Sequence, residues 1–217
     1  MAMDYFPIFC NLKDKRCLIV GGGQVATHKA QGLLAAGAVL RLVAPDISTE
    51  LEHLRVHHEI EWYPASFSPQ HLQSCWLAIA ATNDPLVNRQ VAEAAHAERL
   101  FCNVVDDPSA ASFITPAIID HSPVMIALSC GGNAPVYSKI LKAHVTQHLP
   151  AGMREKALLA GNLRERVNHA CSDRARKRAF WTAFFQHAPL QQALQQENSV
   201  EVTQQVEWLI QHRLLSA

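Results

Sequence analysis

Short apolar runs alternate with longer helical patterns through the first half of the chain. Continuous apolar runs at residues 17–20, 39–44 and 76–81 are typical of strands that helices bury on both faces. The stretch at residues 29–36 and the proline-led stretch at residues 85–97 predict helices. This alternation predicts a parallel sheet of the α/β class.

Shorter segments complete this first pattern. Residues 60–63 and 100–105 predict two further strands. Residues 48–55 predict a short helix, with Ser48 as the N-cap that satisfies its free N–H groups. Residues 4–11 predict an apolar lead-in that packs beside the first strand.

The pattern changes after about residue 112. Residues 112–117 and 124–129 predict two antiparallel strands joined around residues 120–123. A second glycine turn at residues 130–135 then leads into a predicted helix at residues 136–148. Beyond it, apolar residues recur at helical spacing and glycines nearly stop, so a small helical domain is expected.

A glycine-rich turn follows the first predicted strand. Gly21, Gly23 and Ala26 fit Gly-x-Gly-x-x-Gly/Ala between a strand and a helix. Such a turn offers backbone N–H groups and a helix N-terminus to a pyrophosphate. In this context the motif predicts a dinucleotide site, although a phosphate-free turn in an α/β fold stays an alternative.

Asp46, about twenty positions further on, is the candidate acceptor for the ribose hydroxyls. Its carboxylate favours NAD over NADP because it would repel a 2′-phosphate, and Arg41 is expected to lie within the strand. Ligands collect at the carboxyl ends of parallel strands, so we expect the loops at Gly21, Pro45, Thr82 and Asp106 to share one cleft.

Composition excludes several classes of protein. The 217 residues include 19 Lys and Arg and 19 Asp and Glu, so the charge balance does not indicate nucleic acid or an acidic membrane surface. No apolar run approaches the roughly 18 residues that a bilayer span needs, and no signal pattern is present, so a soluble cytoplasmic protein is expected.

Cysteines and histidines do not form a metal pattern in the sequence. The six cysteines are scattered without a Cys-x-x-Cys pair, which favours buried thiols over a disulfide framework or a zinc site. His144 and His148 are four residues apart on a predicted helix, but solvated histidines are the commoner explanation of such a pair. We therefore expect no resident metal.

Several motifs, in order along essentially the whole chain, together resemble one family. It is the bifunctional precorrin-2 dehydrogenase/sirohydrochlorin ferrochelatase, which also forms the N-terminal module of bacterial siroheme synthase. In longer siroheme synthases a uroporphyrinogen methyltransferase module follows, and we expect this chain, which ends at Ala217, to lack it. The motifs lie at residues 7–12, 20–26, 29–30, 80–84, 103–106 and 112–117.

The resemblance implies two reactions in a homodimer. The first is NAD-dependent oxidation of precorrin-2 to sirohydrochlorin, and the second is insertion of Fe²⁺, as a substrate, to give siroheme. The expected architecture is an NAD-binding Rossmann domain at residues 1–112, a small α+β dimerisation segment at residues 113–149 and a C-terminal helical domain at residues 150–217.

The resemblance also implies roles for individual residues. Asp106 matches the catalytic carboxylate; from the residues alone, an equally good alternative is that it caps a turn before Pro108, and Asp107 is a possible substitute. Cys130 stands where some members carry serine, so phosphorylation there does not transfer. The implied cofactor contacts are Gly21, Gly22, Gly23, Gln24, Val25, Pro45, Asp46, Thr82, Asn83 and Asp84. The implied tetrapyrrole-side contacts are Ser129, Gly131, Gly132 and Asn133.

The sequence leaves open two alternative functions and the identity of the residues that bind the substrate's carboxylates. Another NAD-dependent oxidoreductase, or a non-catalytic NAD-sensing regulatory module, would use the same first domain, although the former should show a Tyr-x-x-x-Lys or a His–carboxylate pair and no Tyr-x-x-x-Lys occurs. The substrate carries many carboxylates, and their candidate partners are Lys29, Arg89, Lys139 and Lys142.

Overall fold

A computed structural model describes residues 3–215. The chain forms two compact units. The first runs to Thr115 and includes Gly131–Asn133, and the second comprises Pro116–Cys130 and the chain from Ala134. The three-part division at residues 112 and 149 stays a prediction.

A five-stranded parallel sheet forms the centre of the first unit, as the sequence predicted. Its spatial order is β3-β2-β1-β4-β5, and every neighbouring pair is parallel. The carboxyl ends of all five strands therefore lie at one edge. The strands are β1 (Arg16–Val20), β2 (Val39–Val43), β3 (Glu61–Tyr63), β4 (Leu77–Ala80) and β5 (Phe101–Val104).

Alternate residues of β1 and β4 pack against helices on opposite faces of the sheet. Cys17 and Ile19 of β1 join the core cluster that includes α1 (Gln24–Ala35) and α2 (Thr49–His58). A 3₁₀ turn at Pro69–Leu72 contributes Leu72 to the cluster on the other face. Leu18 and Val20 join the cluster that includes α3 (Pro85–Ala97). Burial on both faces explains why the strands read as continuous apolar runs rather than as alternating ones.

Side-chain caps fix where two of these helices begin. The Oγ of Ser48 accepts a hydrogen bond from the N–H of Leu51 at 3.2 Å, which confirms the predicted cap of α2. The Oδ1 of Asp84 accepts one from the N–H of Leu86 at 2.8 Å, and Pro85 takes the first helical position of α3.

Residues 112–116 do not form the strand that was predicted for residues 112–117, and only Ala117 enters a strand, as the first residue of the hairpin that follows. The Ser112 N–H donates to the Cys102 carbonyl at 2.8 Å, and the Asn103 Nδ2 donates to the Phe113 carbonyl at 2.9 Å. These bonds hold the segment against β5, while Pro116 has no N–H to offer a ladder. The apolar residues that suggested a strand belong instead to a connection.

An antiparallel hairpin follows, displaced along the chain from the prediction. It consists of β6 (Ala117–His121) and β7 (Val124–Leu128), in which Asp120 pairs with Met125. The connecting turn is only Ser122-Pro123, and the Oδ1 of Asp120 accepts hydrogen bonds from the N–H and Oγ of Ser122 at 2.9 and 2.6 Å. The antiparallel pair is confirmed, whereas the predicted link at residues 120–123 was too long.

Helices make up the rest of the second unit. Phe180 and Phe184 are fully buried in its core, as expected for the aromatic stripe, whereas Phe185 is 46% exposed. The Nζ of buried Lys156 donates to the Phe185 carbonyl at 3.0 Å. The helices are α4 (Pro135–Gln147), α5 (Met153–Ala170), α6 (Arg174–Gln186), α7 (Ala188–Gln195) and α8 (Ser199–Leu209), and a π-helical turn follows at Ile210–Leu215.

The apolar lead-in does not pack as predicted. Phe6 is 79% exposed and Phe9 is 70% exposed, so the first side chain of this region to enter the core is Leu12. Within residues 3–215, no helix combines the length and the apolar character needed to cross a membrane.

Candidate active site

A cleft of about 720 Å³ opens at the carboxyl edge of the parallel sheet. It lies where the strand order reverses, because β1 has β2 on one side and β4 on the other. Such a switch point is where open α/β sheets bind their ligands. The four loops expected to meet do meet here, and the cleft wall includes Gly21, Gly22, Gly23, Gln24, Val25, Pro45, Asp46, Thr82, Asn83 and Asp106.

The glycine loop is clamped between its neighbours. Gly21 has φ +126°, which favours glycine, and a Cβ on it would overlap the carbonyl of Ala81. A Cβ on Gly22 would overlap the carbonyl of Asp46, and the Gly22 carbonyl accepts a hydrogen bond from the N–H of Ser48 at 2.8 Å. These positions require glycine because the loops after β2 and β4 approach so closely.

The N-terminus of α1 faces this loop without a side-chain cap. Gly23 is the N-cap residue, and no acidic residue lies in the first turn. The Thr27 Oγ1 instead bonds the Gly23 carbonyl at 3.1 Å and the Ser48 Oγ at 3.0 Å. The first N–H groups of the helix and its positive dipole end are therefore available to a phosphate, so the residues present fit a pyrophosphate.

Asp46 is exposed in the loop after β2, and the Arg41 side chain does not extend towards it. Arg41 is buried in β2, where its Nε donates to the Glu61 Oε2 at 3.0 Å and its Nη1 donates to the carbonyls of His71 and Gln73 at 2.9 and 3.2 Å. Arg41 is thus committed to the protein interior, and it does not offset the repulsion that Asp46 would exert on a 2′-phosphate.

Asn88, which the sequence reading missed, holds the loop after β4. Its Oδ1 accepts hydrogen bonds from the N–H and Oγ1 of Thr82 at 3.0 and 2.7 Å, and its Nδ2 donates to the Thr82 carbonyl at 3.0 Å. The sequence does indicate that Asn88 is buried, because it lies three and four residues before the apolar Val91 and Ala92 on the same face of α3. Asp84 caps α3 and is not among the residues of the cleft wall.

Asp106 and Asp107 have different surroundings. The Oδ1 of Asp107 accepts hydrogen bonds from the Oγ and N–H of Ser109 at 2.5 and 3.1 Å and from the N–H of Ala110 at 3.3 Å. These bonds, that of the Ser109 hydroxyl foremost, hold the pKa of Asp107 below its usual value. Asp107, rather than Asp106, therefore caps this turn.

Asp106 itself lies in the cleft wall, in the left-handed region at φ +62°. Within residues 3–215 its carboxylate forms no side-chain hydrogen bond or ion pair of the kind that fixes Asp107. A carboxylate that the fold does not use, in a cleft, is suited to exchange a proton with a bound molecule.

The second glycine turn belongs to the same unit as this aspartate. Gly131–Asn133 group with the first unit, and a Cβ on Gly132 would lie 3.7 Å from the Cγ of Pro108. The turn thus lies beside the loop that contains Asp106. Ser129 follows β7 in the second unit. The substrate roles of these residues stay predictions.

Metal-ligating side chains do not converge in the described part of the chain. Between residues 3 and 215, no three or more His, Cys, Asp or Glu residues are grouped so that they could hold an ion. The ring centroids of His144 and His148 are 4.3 Å apart, and the His148 Nδ1 bonds the His144 carbonyl at 2.8 Å.

The sheet order and the glycine-lined cleft define a dinucleotide-binding protein of the Rossmann type. A family model described as "Putative NAD(P)-binding" matches residues 8–117. A second model, described as "Sirohaem synthase dimerisation region", matches residues 157–210. The chain belongs to the putative NAD(P)-binding family, and the resemblance to siroheme synthases is confirmed.

Named relatives extend the similarity over nearly the whole chain. Siroheme synthase 2 of Yersinia enterocolitica is 44% identical over 207 residues, which are 95% of this chain and 44% of that protein. Siroheme synthase 3 of Aeromonas hydrophila is 45% identical over 202 residues, 93% of this chain and 43% of that protein. The chain thus spans less than half the length of these relatives.

A solved structure with a similar fold covers most of the chain. It is "SirC, precorrin-2 dehydrogenase", with a TM-score of 0.70 and 21% identity, covering 89% of this chain and 98% of that one. At this identity the likeness concerns the fold alone.

Proposed function

We propose that this chain oxidises precorrin-2 to sirohydrochlorin with NAD⁺ and then inserts Fe²⁺ into sirohydrochlorin. The observation that carries the proposal is the cleft in which a glycine loop, Asp46 and the uncommitted carboxylate of Asp106 meet. Similarity to siroheme synthases over 95% of the chain supports the choice of substrate.

Different residues of the cleft would bind different parts of the cofactor. The backbone N–H groups of the loop and the α1 N-terminus would hold the pyrophosphate, and Asp46 would accept hydrogen bonds from the adenosine ribose. The loop at Thr82 and Asn83, on the far side of the switch point, would hold the nicotinamide half. Bound NAD⁺ supplies a hydride acceptor.

Asp106 is the proposed proton acceptor of the first reaction. Oxidation of precorrin-2 removes a hydride and a proton, and the products are sirohydrochlorin, NADH and H⁺. Asp106 follows β5 directly in the chain and is not engaged by its neighbours, so its carboxylate is free to take that proton. The close-packed loops position the reacting groups, which supplies much of the rate.

Chelation in the same cleft follows from the same carboxylate. Sirohydrochlorin exchanges two pyrrole N–H protons for Fe²⁺, and the macrocycle's own nitrogens bind the iron. Asp106 would accept these protons in turn, with Gly131–Asn133 as the tetrapyrrole-side loop beside it. The iron is a substrate of this step.

A homodimer is part of the proposal. No residue of α4 is buried, and Val136 and Ile140 are 71% and 58% exposed. Ile118 and Met125 of the hairpin are also exposed, at 41% and 43%. Exposed apolar side chains concentrated in one segment are typical of an interface, which favours residues 113–149 as the contact between two copies. Residues 157–210, which match the dimerisation model, are the rival segment.

A cytoplasmic location is also proposed. All six cysteines are free, and four of them are buried. Unpaired thiols are characteristic of proteins in a reducing compartment, which is also where an NAD-dependent reaction finds its cofactor.

Turnover measurements test the proposal against its alternatives. The protein is incubated anaerobically with precorrin-2 and NAD⁺, and the tetrapyrrole and NADH absorption are followed with and without Fe²⁺. We expect sirohydrochlorin and NADH in equal amounts, and siroheme when Fe²⁺ is present. NAD⁺ binding without turnover would indicate a sensing module, and turnover of only a small alcohol or carbonyl would indicate another oxidoreductase.

A further inference from the structure

Lys29 lies on α1 close to the cofactor loop. It is four residues beyond Val25, a residue of the cleft wall, and residues at this spacing are neighbours on a helix surface. Side chains of a helix lean towards its N-terminus. The lysine is therefore a neighbour of Val25 on the N-terminal half of α1, although it is not itself a residue of the cleft wall.

Thr115 connects this lysine to the segment that follows β5. The Lys29 Nζ donates to the Thr115 Oγ1 at 3.0 Å. The chain leading to Thr115 is tied to β5 by the bonds from Ser112 to Cys102 and from Asn103 to Phe113. The bond between Lys29 and Thr115 therefore joins the helix that follows the cofactor loop to the segment tied to β5, the strand that leads to the proposed proton acceptor.

The charge of Lys29 is not balanced by the protein. The side chain is partly buried, and burial lowers its pKa from the usual lysine value. Within the described part of the chain it forms no ion pair, and its hydrogen-bond partner is a neutral hydroxyl. A cation that has lost part of its hydration without gaining a counterion favours an anionic ligand.

The other basic candidates are placed differently. Arg89 is 65% exposed and its Nη2 lies 3.8 Å from the Oδ2 of Asp107. Lys139 and Lys142 are exposed on α4. Each of these three is a hydrated surface cation or already has a carboxylate neighbour, so Lys29 is distinguished from them by its surroundings.

We propose that Lys29 binds one side-chain carboxylate of the tetrapyrrole substrate, and that Thr115 positions the ammonium group for it. The contact would anchor one edge of the macrocycle between α1 and the β5 loop and so contribute to substrate affinity, while the other contacts of the cleft orient the reacting carbon. This inference rests on the proposed function and assigns the substrate-anchoring cation of that site.

Steady-state kinetics of Lys29→Gln test the inference. Loss of one charge-assisted hydrogen bond should raise the KM for precorrin-2 roughly ten- to a hundredfold. The kcat should change less than about threefold, since the reacting groups are untouched. The Kd for NAD⁺ should not change. Lys29→Arg should restore most of the affinity, and Lys13→Gln, on an exposed lysine of the same unit, should match the wild type.

Two further readouts separate anchoring from a structural role. Sirohydrochlorin alone, titrated by its absorption without NAD⁺, should bind Lys29→Gln and Thr115→Val more weakly than the wild type, with the larger loss for Lys29→Gln. In the wild type, KM should rise as the pH increases through the lowered pKa of Lys29, because the ammonium loses its charge. The Lys29→Arg profile should stay flat over that range, since arginine remains charged.

The outcomes distinguish this inference from the proposed function. A wild type that does not oxidise precorrin-2 contradicts the proposed function. A wild type that turns over normally, with Lys29→Gln showing unchanged KM and unchanged sirohydrochlorin affinity, overturns the role of Lys29 alone. If Lys29→Gln fails to fold, Thr115→Val and the pH profile of Lys29→Arg decide the question by the same criteria.

Discussion

The carbonyl group of Asp46 occupies the space that a side chain on Gly22 would need. The loop after β1 and the loop after β2 are therefore in direct contact, and the Ser48 N–H reinforces the contact through the Gly22 carbonyl at 2.8 Å. The residue proposed to bind the ribose is thus held at a fixed position relative to the turn proposed to bind the pyrophosphate.

Gly22→Ala should damage both stability and cofactor binding. The added methyl group must displace the Asp46 backbone, and overpacking of this kind costs about 1–3 kcal/mol of unfolding free energy. Urea unfolding and NAD⁺ titration measure the two effects. Gly32→Ala is the control in the neighbouring helix, where a Cβ meets nothing within 4 Å. It should leave NAD⁺ binding unchanged and add roughly 0.5–1 kcal/mol of stability. Unaltered NAD⁺ affinity in Gly22→Ala would contradict the proposed clamp.

Asp46→Asn should weaken the preference for NAD⁺ over NADP⁺. The substitution removes the charge that repels a 2′-phosphate and weakens the bond to the ribose, so the ratio of the two Kd values should shift by about tenfold. Calorimetric titration with both dinucleotides gives the ratio. Glu50→Gln, which removes a charge from the first turn of α2, should keep the wild-type ratio. An equal shift in both variants would assign the effect to general electrostatics.

The neighbouring aspartates should differ in what their substitution changes. Asp106→Asn should lower precorrin-2 oxidation by about 10²–10⁴-fold while NAD⁺ binding and the thermal midpoint stay close to wild type. Asp107→Ala should lower the thermal midpoint, because the turn loses its bonds to Ser109 and Ala110, and it should reduce turnover less. If Asp107→Ala abolished turnover in a folded protein, Asp107 rather than Asp106 would be the proton acceptor.

Buried thiols should make the protein sensitive to alkali. Burial raises the pKa of Cys17 to about 12 and that of Cys102 to about 11, against 9.0 for an ordinary thiol. Above about pH 9 the unfolded chain releases these protons while the folded chain keeps them, so stability falls as the pH rises, by up to roughly 1.4 kcal/mol per pH unit for each thiol.

Urea unfolding at a series of pH values measures this dependence. Cys17→Ala and Cys102→Ala should each flatten the fall in stability between about pH 9 and the pKa of the thiol removed, whatever their effect at neutral pH. Val91→Ala, at a fully buried residue without a titratable group, should reproduce the wild-type slope. If stability fell equally steeply with pH in the wild type and all three variants, Cys17 and Cys102 would not be the source of the sensitivity to alkali.

The dimer interface should respond to charge on α4. Ile140→Glu places a carboxylate on the face proposed to contact a second copy, and sedimentation should then show monomers at concentrations where the wild type is dimeric. Val56→Glu, at a site 63% exposed on α2, should remain dimeric. Leu158→Glu tests the other segment, at a site 41% exposed on α5. If Leu158→Glu dissociates the dimer and Ile140→Glu does not, the interface lies in residues 157–210 instead.

The sequence predicted those parts of the fold that depend on local patterns. The apolar runs of β1, β2 and β4 are recognisable because helices bury both of their faces, and Ser48 is recognisable because helix caps have few alternatives. The glycine turn and Asp46 were predictable for the same reason, since the spacing within one βαβ unit determines their positions.

Other features depended on contacts between distant parts of the chain. Residues 112–116 look like part of a strand, but hydrogen bonds to Cys102 and from Asn103 hold them as a connection. The role of Asn88 in holding Thr82 requires α3 to lie against the loop, which no local pattern states. The contrast between Asp106 and Asp107 also appeared only in three dimensions, because both follow the same strand.

The central claim is that this cleft delivers a nicotinamide to the Asp106 carboxylate. A crystal structure of the protein with bound NAD⁺ tests it most directly. We predict the pyrophosphate on the glycine loop, the adenosine ribose at Asp46 and the nicotinamide ring on the Asp106 side of the cleft. An empty cleft at saturating NAD⁺, or a nicotinamide ring far from Asp106, would contradict it.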